Sequence, residues 1–367
     1  MYINASELGL YEFLAFGLGF LLEIPSGALA DMLGRRTTII VGNFFMALGA
    51  ILFIFAGVDK YFILIGNILL VGIAFPMISG SFEALAYDSL KQDGKANLYP
   101  IVAQNVARIH IITFIVVSIV GGLMWKVSMY LPWILTGLSF LMSFIISFWL
   151  KEPTIDSEKF SLDNFIFQNK IGFKMFAKGL LRVYIPVFMI LYGIYYMWST
   201  GMIRVVMGNV LGFDGENINY LMALAYFISA LILGTTSCIR KFLKDSVGFI
   251  LLAVLIGMGY LFAYFSNNMI GGALAFILIM ASGTLTRPWV SMLINENIES
   301  KYRATTISTF SFLVQIPYIL IVIPFGWLTD KGLTREFYLW TGIFIILLTG
   351  YAGYRFYKYR AELRLKV

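Results

Sequence analysis

One cysteine, Cys238, and one histidine, His110, stand in the whole 367-residue chain. A lone cysteine excludes an intramolecular disulfide, and no Cys/His cluster has the spacing of a metal site. With a single histidine, no Ser-His-Asp arrangement can be assembled with confidence. A glycine-rich phosphate loop ending in Lys-Ser or Lys-Thr is missing too, which argues against an ATP-driven pump. Charge is equally scarce: 13% of residues are Asp, Glu, Lys or Arg, against about 25% in soluble chains. The expectation is a protein that is not an enzyme and that uses no cofactor and no metal.

What is abundant is apolar surface, 60% of residues, with a mean hydropathy of +0.84. Runs of about 20 apolar residues, enough to cross a bilayer, lie near 10–30, 37–57, 62–89, 101–124, 131–149, 183–203, 218–238, 246–265, 270–293, 304–327 and 337–356. Backbone groups in hydrocarbon must bond internally, and these runs are too long and too uniformly apolar for barrel strands. The fold class predicted is therefore an all-α polytopic membrane protein with eleven spans.

The short connections carry basic residues on alternate sides. Twenty fall on one side, among them Arg35, Arg36, Lys91, Lys95, Lys170, Lys174, Arg355 and Lys358; five fall on the other, Lys60, Lys126, Arg204, Lys331 and Arg335. By the positive-inside rule the richer side is cytoplasmic, with the linker and the C-terminus on it, in a plasma (inner) membrane. The net charge of +7 then reflects topology and anionic lipid rather than nucleic acid. An odd count of spans places Met1 outside, without a basic n-region to explain it. Either the chain starts outside or a preceding helix is missing.

Residues 151–182 form the longest polar stretch and divide the spans five to six. The expected domains are an N-terminal bundle at 1–150, a cytoplasmic linker at 151–182 with an amphipathic segment, a C-terminal bundle at 183–357 and a basic tail at 358–367. The linker's apolar residues fit either a helix on the inner leaflet or a solvated connection. The halves look related: Arg35-Arg36 matches Arg240-Lys241 at a shift of 205, and "SGSFEA" at Ser79 matches "SGTLTR" at Ser282 at a shift of 203. A third likeness, "GGLMWKVSMYLPWILTG" at Gly121 with "FGWLTDKGLTREFYLWTG" at Phe325, points the same way. Duplication predicts six helices in each half and so a first helix that is not seen.

The stretch "EIPSGALADMLGRR", from Glu23 to Arg36, sits between the first two runs. Gly27 permits close helix approach, Asp31 ends the helix at the membrane surface, Gly34 supplies a turn, and Arg35 and Arg36 meet lipid phosphate and acidic helix ends. The segment Gly27 to Arg36 resembles the G-x-L-a-D-x-x-G-R-R signature between the second and third helices of the major facilitator superfamily. "SGSFEALAYDSL" at Ser79 and "NENIESKYRATTIS" at Asn295 resemble segments of its bacterial drug-exporter-like members. The resemblance implies two six-helix bundles, here lacking the first helix, that rock around a central site. It also implies that this loop latches the outward-facing state with the help of an acid on the fourth helix, which is Asp88 here.

Ionisable residues inside spans are costly and face a cavity or a partner. Glu83 and Arg108 lie at similar depth, so a pair between them is expected, either cycling during transport or permanently structural. Glu23 is a candidate proton carrier or a structural acid; His110 either titrates or packs. Arg287, before Pro288, either offers a cation to the cavity or reaches backbone freed by the proline. Tyr192, Tyr195, Tyr196 and Trp198 are candidates to line a cavity for an organic molecule. The fifth helix of the resemblance has only Gly121-Gly122 and no following proline, unlike proton antiporters of the superfamily.

The expected function is secondary transport of a small organic solute, with efflux by proton antiport first. A nutrient uniporter or symporter is the alternative, and a non-transporting membrane sensor or scaffold the third. Protons and membrane lipid are the further partners, and a monomer is expected.

Overall fold

A computed structural model describes residues 3–154, 162–177, 179, 181–198, 212–243, 245–298, 306, 309–310 and 312–364, a few of them inside helices by backbone alone. Each of the eleven apolar runs carries a helix, and no strand occurs among the described residues. The helices are α1 (Ala5–Leu33), α2 (Arg35–Leu52), α3 (Tyr61–Gln92), α4 (Tyr99–Val127), α5 (Leu131–Ser147), α6 (Leu162–Phe176), α7 (Leu181–Tyr196), α8 (Gly215–Phe242), α9 (Asp245–Phe265), α10 (Met269–Asn297), α11 (Gln315–Asp330) and α12 (Thr334–Arg364). Among the described residues, eight are long and apolar enough to cross a membrane by themselves. The helices α5, α7 and α11 are shorter, at 17, 16 and 16 residues. The linker helix α6 meets α7 at a bend of 107°.

The described chain forms two compact units. The first comprises Met1–Thr113 and Leu123–Phe167, the second Phe114–Gly122 and Gln168–Val367. Inside the first, α2 packs on α3 and α5; inside the second, α9 packs on α10 and α12. The same pairing thus recurs in each unit, as the internal likeness of the halves predicts.

Lipid tails are as apolar as leucine, so close packing rather than water exclusion holds such helices together. Gly19 and Gly72 show how the first unit does this. A Cβ on Gly19 would lie 2.9 Å from the Val71 carbonyl oxygen, and one on Gly72 3.1 Å from that of Ala15. The backbones of α1 and α3 therefore touch. Around this crossing α3 changes its winding, with a π-helical stretch at Ile68–Ala74 between ordinary α-helical ends. The second unit packs with rings instead: Tyr184, Phe188, Phe249 and Phe356 form one cluster with neighbouring centroids 4.2 to 6.3 Å apart. By contrast, α4 exposes Ile109, Ile112, Val116 and Val117, as a helix facing hydrocarbon does.

At the end of the first unit opposite Arg35, Lys60 in the α2–α3 turn pairs with Glu7 in the first turn of α1. The hydrogen bond to Glu7, and then the Glu7 charge, hold the Lys60 amine above the usual lysine range. An unfolded lysine titrates near about 10.4. Since the folded value is the higher one, the pair's contribution is fully present below the unfolded value and is lost as pH rises through the folded one. Exposed pairs contribute little, so Lys60→Met should lower Tm slightly and evenly between about pH 6 and pH 9. Melting curves of the two proteins that converge within that window would contradict this.

Candidate functional site

The α1–α2 turn is a single residue long. Gly34 joins the two helices at φ 88° and ψ 147°, a conformation available essentially to glycine alone. The turn leaves the first backbone N–H groups of α2 without intrahelical partners, as at every helix start. Glu152, just beyond α5, supplies them: its carboxylate accepts from the Arg35 N–H at 2.9 Å and from the Arg36 N–H at 2.6 Å. A carboxylate at a helix N-terminus is favoured by both hydrogen bonding and the helix dipole.

The arginine side chains reach outward from this anchor. Arg35 forms an ion pair with Asp88 near the end of α3, both side chains largely shielded from solvent. Arg36 donates from Nη2 to the Phe148 carbonyl at 2.9 Å. Two residues beyond Glu152, the Thr154 N–H donates to Gln92 Oε1 at 2.9 Å. Residues 152–154 are thus a strap that joins the start of α2 to the end of α3. All these contacts lie within the first unit.

Of the other residues named from this stretch, Gly27 and Asp31 have helical backbones in α1, and the Asp31 side chain lies outside the described residues. Glu23 is half-buried on α1, and its carbonyl accepts from the Ser26 hydroxyl at 3.0 Å. Glu83 and Arg108 are both exposed and stand unpaired with each other here, which tells against a permanent structural pair and leaves the pair that forms only during the cycle. Equal depth fixes height along a span but not the direction in which a side chain points. His110 is exposed on α4. The side chain of Arg287 lies outside the described residues. One acid was missed in the sequence: Glu12, on α1, is the only fully buried charged side chain among the described residues. Its place inside the first apolar run was the available signal.

In the second unit, Tyr192, Tyr195 and Tyr196 share one face of α7 by their spacing of three and four residues. Their rings pack together, Tyr192 lying 5.6 Å from Tyr195 and 6.1 Å from Tyr196 between centroids. Tyr196 meets Tyr318 of α11 edge-on at 5.2 Å. The Tyr195 hydroxyl lies 3.5 Å from Thr284 Oγ1 on α10, which in turn lies 3.3 Å from Ser229 Oγ on α8. Gly283 makes room for this: a Cβ there would fall 2.0 Å from Tyr195 Cδ2.

Trp198 does not share that face, which corrects the sequence reading. It is buried among Tyr260, Phe276 and Tyr338, at 5.5, 5.9 and 5.6 Å between ring centroids. It stands in the turn two residues beyond the end of α7, where it enters the packing of α9, α10 and α12.

Residues 2–321 match the family model of the Major Facilitator Superfamily. The uncharacterized MFS-type transporter YxaM of Bacillus subtilis (strain 168) is 24% identical over 360 residues, which cover 92% of this chain and 86% of that protein. Among solved structures, the nucleoside transporter NupG superposes with a TM-score of 0.67 at 13% identity, covering 98% of this chain and 90% of that one. A D-xylose-proton symporter gives 0.71 at 12% identity, with 95% and 87% covered. At such identities the structural likeness speaks for the fold alone.

Proposed function

The chain belongs to the major facilitator superfamily and is a multi-pass membrane transporter rather than an enzyme, and from this premise we propose that it moves a small organic solute by alternating access, exporting it in exchange for protons. The observation that carries the reading is the anchored turn. Gly34 fixes the turn, Glu152 holds its backbone, and Asp88 takes the Arg35 guanidinium. A permanent structural joint would need only the backbone anchor. An ion pair shielded from solvent at the membrane edge is costly to form and to break, which suits a contact that marks one conformational state.

Proton coupling requires an acid in the span whose environment changes during the cycle. Glu12, buried, and Glu23, half-buried, are the candidates on α1. A plasma-membrane location with linker and C-terminus in the cytoplasm is part of the proposal, supported by the twenty-to-five split of Lys and Arg. Uptake by symport is the second reading. It is favoured by the absence of a proline after Gly121-Gly122.

The test uses the full chain in proteoliposomes loaded with a pH-sensitive dye. A panel of solutes (uridine, xylose, a dipeptide and ethidium) is added outside under an imposed pH gradient. Antiport predicts that a transported solute drives protons the opposite way. Protons moving with the solute would replace antiport by symport, and flux indifferent to the gradient would leave a uniporter. Binding without any flux would overturn the transport reading in favour of a sensor. Asp88→Asn is expected to slow flux severalfold while leaving solute binding intact; unchanged flux would remove the turn from the transport cycle.

A further inference from the structure

Resting on the transport reading above, we propose that the solute is uncharged and ring-bearing, with N–H or O–H donors on its edge. It would be held by the tyrosine wall of the second unit and read by the hydroxyl chain Tyr195–Thr284–Ser229.

The wall is aromatic and only half-buried. Tyr192, Tyr195, Tyr196 and Tyr226 each leave part of their surface accessible, and each ring is held in place by another. Tyr192 packs with Tyr195 and Tyr196, Tyr196 with Tyr318, and Tyr226 stacks on Phe114 at 5.1 Å with 23° between planes. Rings fixed in this way offer faces to a flat partner with little further loss of side-chain freedom. Aromatic faces also attract cations, so the wall alone does not choose between a neutral ring and a cation.

The polar part of the wall makes the choice. The described groups around the Tyr195 hydroxyl are uncharged: Thr284 Oγ1 at 3.5 Å, Ser229 Oγ beyond it, and the ring of Tyr192 alongside. Bringing a cation or an anion there would strip its water without a counter-charge to replace it, which costs far more than desolvating a neutral molecule.

Proton accounting then sets the sense of the hydrogen bonds. A hydroxyl has one proton to give and two lone pairs to receive. Thr284 lies closest to the Met280 carbonyl, at 2.7 Å, so its proton goes there. Its longer approach, to Ser229 Oγ at 3.3 Å, has Thr284 on the donor side as well, so toward Tyr195 at 3.5 Å the Thr284 oxygen is the acceptor and the Tyr195 hydroxyl the donor. With its proton spent on Thr284, the Tyr195 hydroxyl keeps a lone pair and no donor. A solute completes it by donating to that oxygen. Sites built to hydrogen-bond a group reject analogues that lack it, because the buried partner is left unpaired.

The experiment measures binding of three sets of ring compounds to the purified full chain by intrinsic fluorescence. The sets are uncharged donors (uridine, adenosine, catechol), a cation (benzyltrimethylammonium) and an anion (benzoate). The same compounds are then run as counterflow substrates in proteoliposomes. An uncharged donor is expected to bind best. Tyr195→Phe, which keeps the ring, and Thr284→Val, which keeps the shape, are each expected to weaken it about tenfold. Tighter binding of the cation or the anion overturns the proposal, as does silence from every uncharged compound or indifference to Tyr195→Phe. The comparison among ligands on the unaltered protein stands even if a variant fails to fold. Binding of an uncharged donor without counterflow would refute transport and keep the solute class; counterflow of the cation would refute the class and keep transport.

Discussion

Gly34→Ala should be among the most damaging single-methyl additions in this protein, destabilising it by about 1–3 kcal/mol from backbone strain alone. The backbone at Gly34, with φ 88° and ψ 147°, lies where a side chain is not tolerated. A Cβ there would also stand 3.1 Å from Glu152 Oε2 and 3.2 Å from its Cδ. Either the turn flattens or the carboxylate is pushed off the N–H groups of Arg35 and Arg36. Loss of such a cap adds about 1 kcal/mol. Transport should fall with it, because Arg35 then no longer meets Asp88. Gly94→Ala is the control: Gly94 has φ 71° and nothing within 4 Å of its absent Cβ, so it carries strain without a displaced neighbour. Thermal unfolding of both variants in detergent separates the terms. If Gly34→Ala melts no earlier than Gly94→Ala, the Glu152 cap contributes nothing.

The second large effect is expected at Gly283→Ala. The new methyl would overlap the Tyr195 ring, whose Cδ2 and Cγ lie 2.0 and 2.3 Å from it. The ring has Tyr192 beside it, so it cannot swing aside without disturbing the wall. Overpacking of this kind costs about 1–3 kcal/mol. Solute binding should drop more steeply than stability, since Tyr195 would lose its approach to Thr284. Adding Tyr195→Ser to Gly283→Ala relieves the clash, and stability should recover while binding does not. Recovery of both would mean that Tyr195 has no part in holding the solute.

Much of this architecture was legible in the residues because hydrocarbon leaves the backbone one economical solution. Eleven apolar runs became helices, and the glycine and arginines of the turn stand at the junction their order implies. Tyr192, Tyr195 and Tyr196 fall on one face by simple periodicity, whereas Trp198 lies past the helix end, in a turn that periodicity does not govern. Glu152 was not legible. It meets Arg35 across 117 residues of chain, and nothing in a lone acid after a span says which helix start it will cap. Glu83 and Arg108 stand apart here for a related reason. Position along a run gives depth, whereas direction around the axis depends on the winding of every turn before it.

The π-helical stretch at Ile68–Ala74 makes that last point concrete. An ordinary helix advances about 100° per residue, and wider winding changes the phase of everything that follows. Asp88 lies downstream of this stretch, so its bearing on Arg35 is set some fourteen residues earlier, where α3 passes the backbone of α1. Were the stretch to rewind as a plain α-helix with every residue kept, all that follows it would turn about the axis. Asp88 would then keep its name and its height and face another compass point. In this helix, spacing alone does not carry the address of a side chain; the local pitch must be read with it.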